Sequence, residues 1–159
     1  MRVTRWGEFG ILCSLNLARR FGAGATGATE ISEAEGIPLQ YTHQILQRLR
    51  KGGIITSARG PHGGYQLAKS PDQTNLKEIL LAVEGKTFDV VCDSDPVAPE
   101  GRCAQDAACG LEKVWRSLKE SVDKLLEGHT LQTILEQESR EQLVTLGTKD
   151  TPSTGTSLS

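Results

Sequence analysis

Cys92, Cys103 and Cys109 fall in one polar stretch, with ten residues between the first two and five between the last two. Thiolates select zinc, copper(I) or iron-sulfur iron. Neither interval is the C-x2-C spacing of a zinc knuckle, which weakens a structural zinc reading. An iron-sulfur cluster needs four protein ligands, and the remaining cysteine, Cys13, sits in an apolar helical stretch where a small core residue is the simpler assignment. A fourth ligand of another type is therefore expected. Pro96, Pro99 and Gly101 interrupt any regular element here, so residues 86–110 read as a cysteine loop.

The elements around the loop predict a mostly α fold with a small β-hairpin wing: a winged helix-turn-helix over 1–85, dimerisation helices over 107–138 and a flexible tail over 139–159. Apolar residues Trp6, Phe9, Ile11, Leu12, Leu15, Leu17 and Ala18 recur at helical spacing from Arg5 to Arg20, with Thr4 as N-cap. After a Gly-rich loop, Thr29 is read as the cap of a short helix over Glu30 to Glu35, ended by Gly36. Pro38 opens the next helix, where its missing N–H costs nothing. This helix runs through Tyr41, Ile45, Leu46 and Leu49, spaced at four, one and three, and stops at Gly52-Gly53. Two helices joined by so short a turn have the dimensions of a helix-turn-helix, whose second helix enters the major groove. The outward face of that helix would carry Gln40, Thr42, His43, Gln44, Gln47 and Arg48, with Arg50 and Lys51 at its end.

Ile54-Ile55-Thr56 and Tyr65-Gln66-Leu67-Ala68 read as strands of a hairpin. Its tip holds Arg59, Gly60, Pro61, His62, Gly63 and Gly64: glycines that let backbone approach a sugar-phosphate chain, and an arginine suited to a narrow minor groove. A helix follows over Asn75 to Glu84, with Leu76, Ile79, Leu80 and Val83 inward. Beyond the cysteine loop, a long helix from about Ala107 to Glu127 carries Leu111, Val114, Leu118, Val122 and Leu125 in a coiled-coil-like stripe suited to a second copy of the chain. A short helix from about Leu131 to Glu138 precedes the Thr/Ser/Gly-rich tail.

The net charge of -2 conceals an asymmetry. Residues 1–71 hold nine Lys/Arg against four Glu, whereas residues 72–159 hold nine against sixteen acids. A basic first half can face double-stranded DNA while the acidic half turns away. No apolar run reaches 18 residues, and Trp6, Gly7 and Glu8 stand where a signal peptide needs its apolar core, so a cytoplasmic protein without membrane contact is expected. His43, His62 and His129 form no set with a nucleophile and there is no P-loop, so an enzyme is not expected.

Four features together resemble the iron-sulfur regulators of the IscR and NsrR type. They are the start Met1-Arg2-Val3-Thr4, the segment Tyr41 to Gly53, the wing Arg59-Gly60-Pro61-His62-Gly63-Gly64-Tyr65, and three cysteines before a long helix. The likeness spans about residues 1–138. It implies a homodimeric winged-helix transcription regulator, usually a repressor, whose 2Fe-2S or 4Fe-4S cluster reports on redox state, nitric oxide or iron-sulfur supply. It also implies that Gln40, Tyr41, Gln44, Arg59 and Pro61 lie at or beside DNA; the residue reading adds His43, Arg48, Arg50 and His62.

The chain departs from that pattern in three places. The Cys92 to Cys103 interval is longer than the roughly five to seven residues typical of such proteins. IscR-like members have a histidine three residues after the last cysteine, where this chain has Glu112. Leu12 occupies the place of a helix-1 histidine found in other relatives. NsrR-like members use a carboxylate from the partner subunit, and Glu8 stands at the corresponding position. Glu8 across the dimer is thus the expected fourth ligand and Glu112 the alternative. A cluster-free regulator with a cysteine thiol/disulfide switch is the competing expectation, and a zinc-binding scaffold that does not touch DNA is a third.

Overall fold

A computed structural model of the chain describes residues 4–60, 63–87 and 110–147, the last four of these by their backbone alone. Among the described residues the order is α1 (Arg5–Arg19), α2 (Ala28–Glu35), α3 (Leu39–Lys51), β1 (Ile55–Ala58), β2 (Gly64–Leu67), a 3-10 turn at Pro71–Gln73, α4 (Leu76–Glu84), α5 (Gly110–Gly128) and α6 (Leu131–Gly147). The predicted fold class holds: helices around one aliphatic core, with a two-stranded antiparallel hairpin.

Thr4 caps α1 as expected, its hydroxyl accepting from Trp6 N–H. Asn75 does the same for α4 through Glu78 N–H. The second cap differs. α2 starts at Ala28 with Gly27 at the N-cap, and Thr29 lies inside the helix without a capping role. The reason is tertiary: Thr26 exchanges both backbone hydrogen bonds with Tyr65 (2.9 and 2.8 Å), which fixes the chain there and turns it directly into the helix. Gly64 permits this approach, since a Cβ on it would stand 2.4 Å from the Thr26 carbonyl oxygen. Thr26 thereby adds a one-residue third strand to the hairpin.

The hairpin is also shifted. Ile54 N–H is spent on the Leu49 carbonyl at the end of α3, so β1 begins at Ile55, paired with Leu67. The larger correction is at the C-terminus. α6 runs to Gly147, so residues 139–147, expected as tail, are helical. The stretch from Leu131 has no Gly or Pro before Gly147 and is rich in Leu, Gln and Glu, all good helix formers. The cysteine loop lies outside the described residues from 88 to 109, as does the first part of the helix expected from Ala107.

The core joins Cys13, Leu15 and Leu17 of α1, Ile31 of α2, Ile45, Leu46 and Leu49 of α3, Ile79 and Val83 of α4, and Leu131 of α6. α4 lies unusually close to its neighbours because three glycines face it. A Cβ on Gly10 would come within 2.7 Å of Val83 Cγ2, one on Gly7 within 2.9 Å of Leu80 Cδ2, and one on Gly52 within 2.4 Å of Ala82 Cβ. The Gly52 contact has no flexible side-chain end that could give way. Gly52→Ala should therefore force α3 and α4 apart and cost about 1–3 kcal/mol, the range for overpacked cores, read as a lowered urea midpoint with an unchanged slope.

Candidate functional site

The turn between α2 and α3 is built by backbone and one serine. Gly36 takes the left-handed conformation (φ 63°) that ends α2. Ser32 Oγ donates to the Ile37 carbonyl (2.6 Å), Ile37 N–H returns to the Ser32 carbonyl (3.1 Å), and the Ile37 side chain is buried. Thr42, expected on the outward face, is instead fully buried, its hydroxyl donating to the Pro38 carbonyl at 3.3 Å. A hydroxyl that bonds the preceding turn can sit in an apolar core. Thr42, Ile45, Leu46 and Leu49 thus define the inner face of α3.

Opposite them stand Gln40, His43, Gln44, Gln47, Arg50 and Lys51, all exposed, and their side chains make no hydrogen bond or ion pair among the described residues. Arg48 and Tyr41, on the same helix, behave differently. The Arg48 guanidinium carbon lies 4.5 Å from the centre of the Trp6 ring, and Nη1 donates to the Val83 carbonyl at 2.6 Å. Tyr41, expected at or beside DNA, is exposed on the flank of α3 with its ring centroid 5.5 Å from that of Trp6 at 55°. Through its two contacts Arg48, expected at DNA, ties α3 to α1 and α4 while the residue itself stays exposed, and Tyr41 keeps its hydroxyl without a partner among the described residues.

The wing rises beside this face. Ser57 pairs with Tyr65 and Ala58 with Gly64, and Gly63 N–H closes the tip on the Gly60 carbonyl at 2.9 Å. Arg59 is exposed and unpaired among the described residues; Pro61 and His62 lie outside them. One sequence signal adds to the reading of this region. No Asp or Glu occurs between Glu35 and Asp72, so α3 and the wing carry only positive charge, and Lys51 and Gln47 belong to the same surface.

For the metal ligands, Cys92, Cys103 and Cys109 lie outside the described residues, and no described group of three or more His, Cys, Asp or Glu could hold a metal. The two carboxylates expected near them differ in state. Glu112 is bonded to Arg116 (2.6 Å), whereas Glu8, in the first turn of α1, is exposed and makes no side-chain bond among the described residues. Cys13 is fully buried, and burial, with the nearby Glu35 charge second, pushes its thiol from 9.0 up to about 12. The chain enters the cysteine segment from an anchored point, because Thr87 Oγ1 donates to Asp123 on α5 (2.5 Å) and the other Asp123 oxygen pairs with Lys77 of α4 (3.4 Å).

A tight helix-turn-helix that displays an unpaired polar helix beside a basic wing defines a winged-helix DNA-binding regulator. Residues 3–137 match the Rrf2 family of iron-dependent transcriptional regulators, and the chain belongs to that family. It is 34% identical over 139 residues to a predicted HTH-type transcriptional regulator of Neisseria meningitidis serogroup A, covering 87% of this chain and 90% of that one. It is 32% identical over 162 residues to the HTH-type transcriptional regulator IscR of Escherichia coli K12, covering 98% and 94%. Among solved structures, IscR of T. potens matches with a TM-score of 0.69 at 27% identity, over 89% of this chain and 91% of that one. CymR, the global cysteine regulator of B. subtilis, shares the fold with a TM-score of 0.66 at 24% identity, over 86% and 98%. The protein is accordingly a DNA-binding transcriptional regulator and not an enzyme. No described helix is long and apolar enough to cross a membrane.

Two measurements check this geometry. Arg59→Ala should flatten the dependence of log affinity for DNA on log salt by about 0.9 per chain without loss of stability, whereas Arg48→Ala should lower folding stability by about 1–2 kcal/mol and leave that slope unchanged. For Cys13, both the folded and the unfolded state hold the proton below pH 9.0, and only the unfolded thiol ionises between there and about 12. Its contribution to stability is thus complete below pH 9 and falls as pH rises through that window. Cys13→Ala should lessen the alkaline decline in stability, and in the native protein Cys13 should resist a thiol reagent until urea unfolds the chain.

Proposed function

We propose that the chain is a homodimeric repressor, acting in the cytoplasm, whose operator affinity is set by an iron-sulfur cluster that senses redox state, nitric oxide or iron-sulfur supply. The cluster, 2Fe-2S or 4Fe-4S, would be held by Cys92, Cys103 and Cys109 of one subunit and Glu8 of the other. The observation that carries this assignment is the state of the three candidates for the fourth donor. Cys13 is buried and keeps its proton, Glu112 is already paired with Arg116, and Glu8 alone offers an exposed carboxylate without a partner among the described residues. A carboxylate is a hard, exchangeable ligand on soft iron, which suits a sensor. When bound, the cluster supplies a redox-active iron centre open to small molecules.

Dimerisation is supported by α5. Leu111 and Leu125 are each 61% exposed, Val114, Trp115 and Leu118 are also exposed, and Leu126 is the helix's one buried residue. An apolar stripe left exposed among the described residues matches a second copy at the same seam. Two copies would present two α3 helices to successive half-sites, with Gln40, Tyr41, His43, Gln44, Gln47, Arg50 and Lys51 over the groove and Arg59, Pro61 and His62 at the wing. Ligation through Glu8 would act on α1, whose first turn holds α4 through Thr4 and Glu84 (2.9 Å) and whose Trp6 holds α3 through Arg48. A preference of a few kcal/mol for one dimer arrangement is enough to change operator occupancy strongly.

The second reading, a cluster-free thiol/disulfide switch, is supported by the ten-residue interval between Cys92 and Cys103. Anaerobic purification separates the two. The cluster reading requires visible charge-transfer bands with matching iron and acid-labile sulfide, and a Glu8→Ala protein with an altered spectrum and a shorter lifetime in air. A colourless, iron-free protein that cannot be reconstituted would favour the thiol switch, and a Glu8→Ala spectrum and air stability equal to wild type would remove Glu8 from the ligand set.

A further inference from the structure

Leu39 is the first residue of α3, and it is 40% exposed at a position where the helix needs nothing from it. It belongs neither to the buried core nor to the half-buried residues packed against that core. A leucine left in solvent gains nothing for folding, and a polar residue would serve a solvated first turn equally well. Its surroundings give the exposure meaning. His43 follows one turn later on the same side of α3, and Gln40 is adjacent in sequence, starting the row Gln40, Gln44, Gln47 and Lys51. The first turn of a groove-entering helix is the part that meets base edges.

We infer that Leu39 is a specificity-determining residue that packs against the 5-methyl group of a thymine in the major groove. Glutamine pairs in bidentate fashion with the N6 and N7 atoms of adenine, and the thymine of the same base pair displays O4 and its methyl group to the same groove. A helix with three glutamines in a row and one free aliphatic side chain beside them has the complementary set for A·T pairs: donors and acceptors for adenine, and apolar surface for the methyl. Guanine and cytosine offer no such methyl, so Leu39 would contribute discrimination that hydrogen bonds from the glutamines alone do not supply. The half-site is therefore expected to hold an A·T pair under the first turn of α3, with its thymine turned towards Leu39.

Leu39 can read a base only if α3 is the groove helix, and the test keeps the two questions apart. Operator duplexes are selected in vitro with the full chain, and each thymine is then replaced singly by deoxyuridine, which removes only the methyl group. Wild-type protein should lose about three- to fivefold in affinity at one position per half-site, the value of one buried methyl, and Leu39→Ala should show no loss at that position. Leu39→Met should restore most of the methyl dependence. Deoxyuridine losses equal in wild type and Leu39→Ala at every position would overturn the assignment. Gln44→Ala is measured on the same duplexes. If it relaxes the preference for an A·T pair while Leu39→Ala changes nothing, the thymine contact alone is wrong; if neither variant changes selectivity, α3 is not the groove helix and both assignments fall.

Discussion

The close approach of α4 to α1 and α3 is the constraint on which the rest of the structure depends. Gly7, Gly10 and Gly52 each meet α4 where a methyl group would collide with it. That closeness lets the Arg48 guanidinium reach the Val83 carbonyl while it covers the Trp6 ring. Three helices are locked at one junction, and the direction in which α3 points follows from it. An apolar core alone would hold these helices together at many angles; backbone-to-side-chain contact at glycine leaves few.

Much of this architecture was legible in the sequence because its signals are local. Gly36 and Pro38 mark the helix-turn-helix turn, the glycines around Arg59 mark the wing, and the periodic leucines and isoleucines mark the inner faces of α1, α3 and α4. What escaped depended partly on contacts distant in sequence and partly on local geometry that residue type does not mark. Arg48 lies at the edge of the helical wheel, and its contacts with Trp6 and Val83, about forty residues away on either side, have no local signal. Thr42 looked outward by residue type, but its hydroxyl finds the carbonyl one turn back and so tolerates full burial. The start of α2 was set by a bridge from Thr26 to Tyr65, and the length of α6 by the lack of any breaker before Gly147. At the candidate metal site, residue type marked out Cys92, Cys103 and Cys109, but the difference between Glu8 and Glu112 rests on Arg116, whose proximity along α5 is a matter of helical geometry.

Charge divides the molecule by task. The span from Gly36 to Pro71 has no acid and contains all of α3 and both strands of the wing. Several acids elsewhere partner bases: Glu35 and Glu138 with Arg19, Glu30 with Arg20, and Asp123 and Glu127 with Lys77. These pairs fasten α1 to α2 and α6, and α4 to α5, and none of them involves a side chain of α3. Exposed pairs of this kind add little stability individually. Their placement keeps acidic groups from the field that phosphates would meet.

The anchorage of Thr87 on Asp123 bears on how the length of the chain between α4 and α5 can vary. Asp123 stands thirteen helical steps after Gly110, so the two ends of the segment between Thr87 and Gly110 are about 20 Å apart along α5. Its 22 residues could reach several times that distance. The contour length exceeds the span, and the entropy of closing a chain segment grows only with the logarithm of its length. Extending it from about 19 to 22 residues costs about 0.1 kcal/mol. With both ends pinned to one rigid helix, insertions and deletions between the cysteines are almost free energetically, so the cysteine intervals could drift among relatives while the helices they join stay in register.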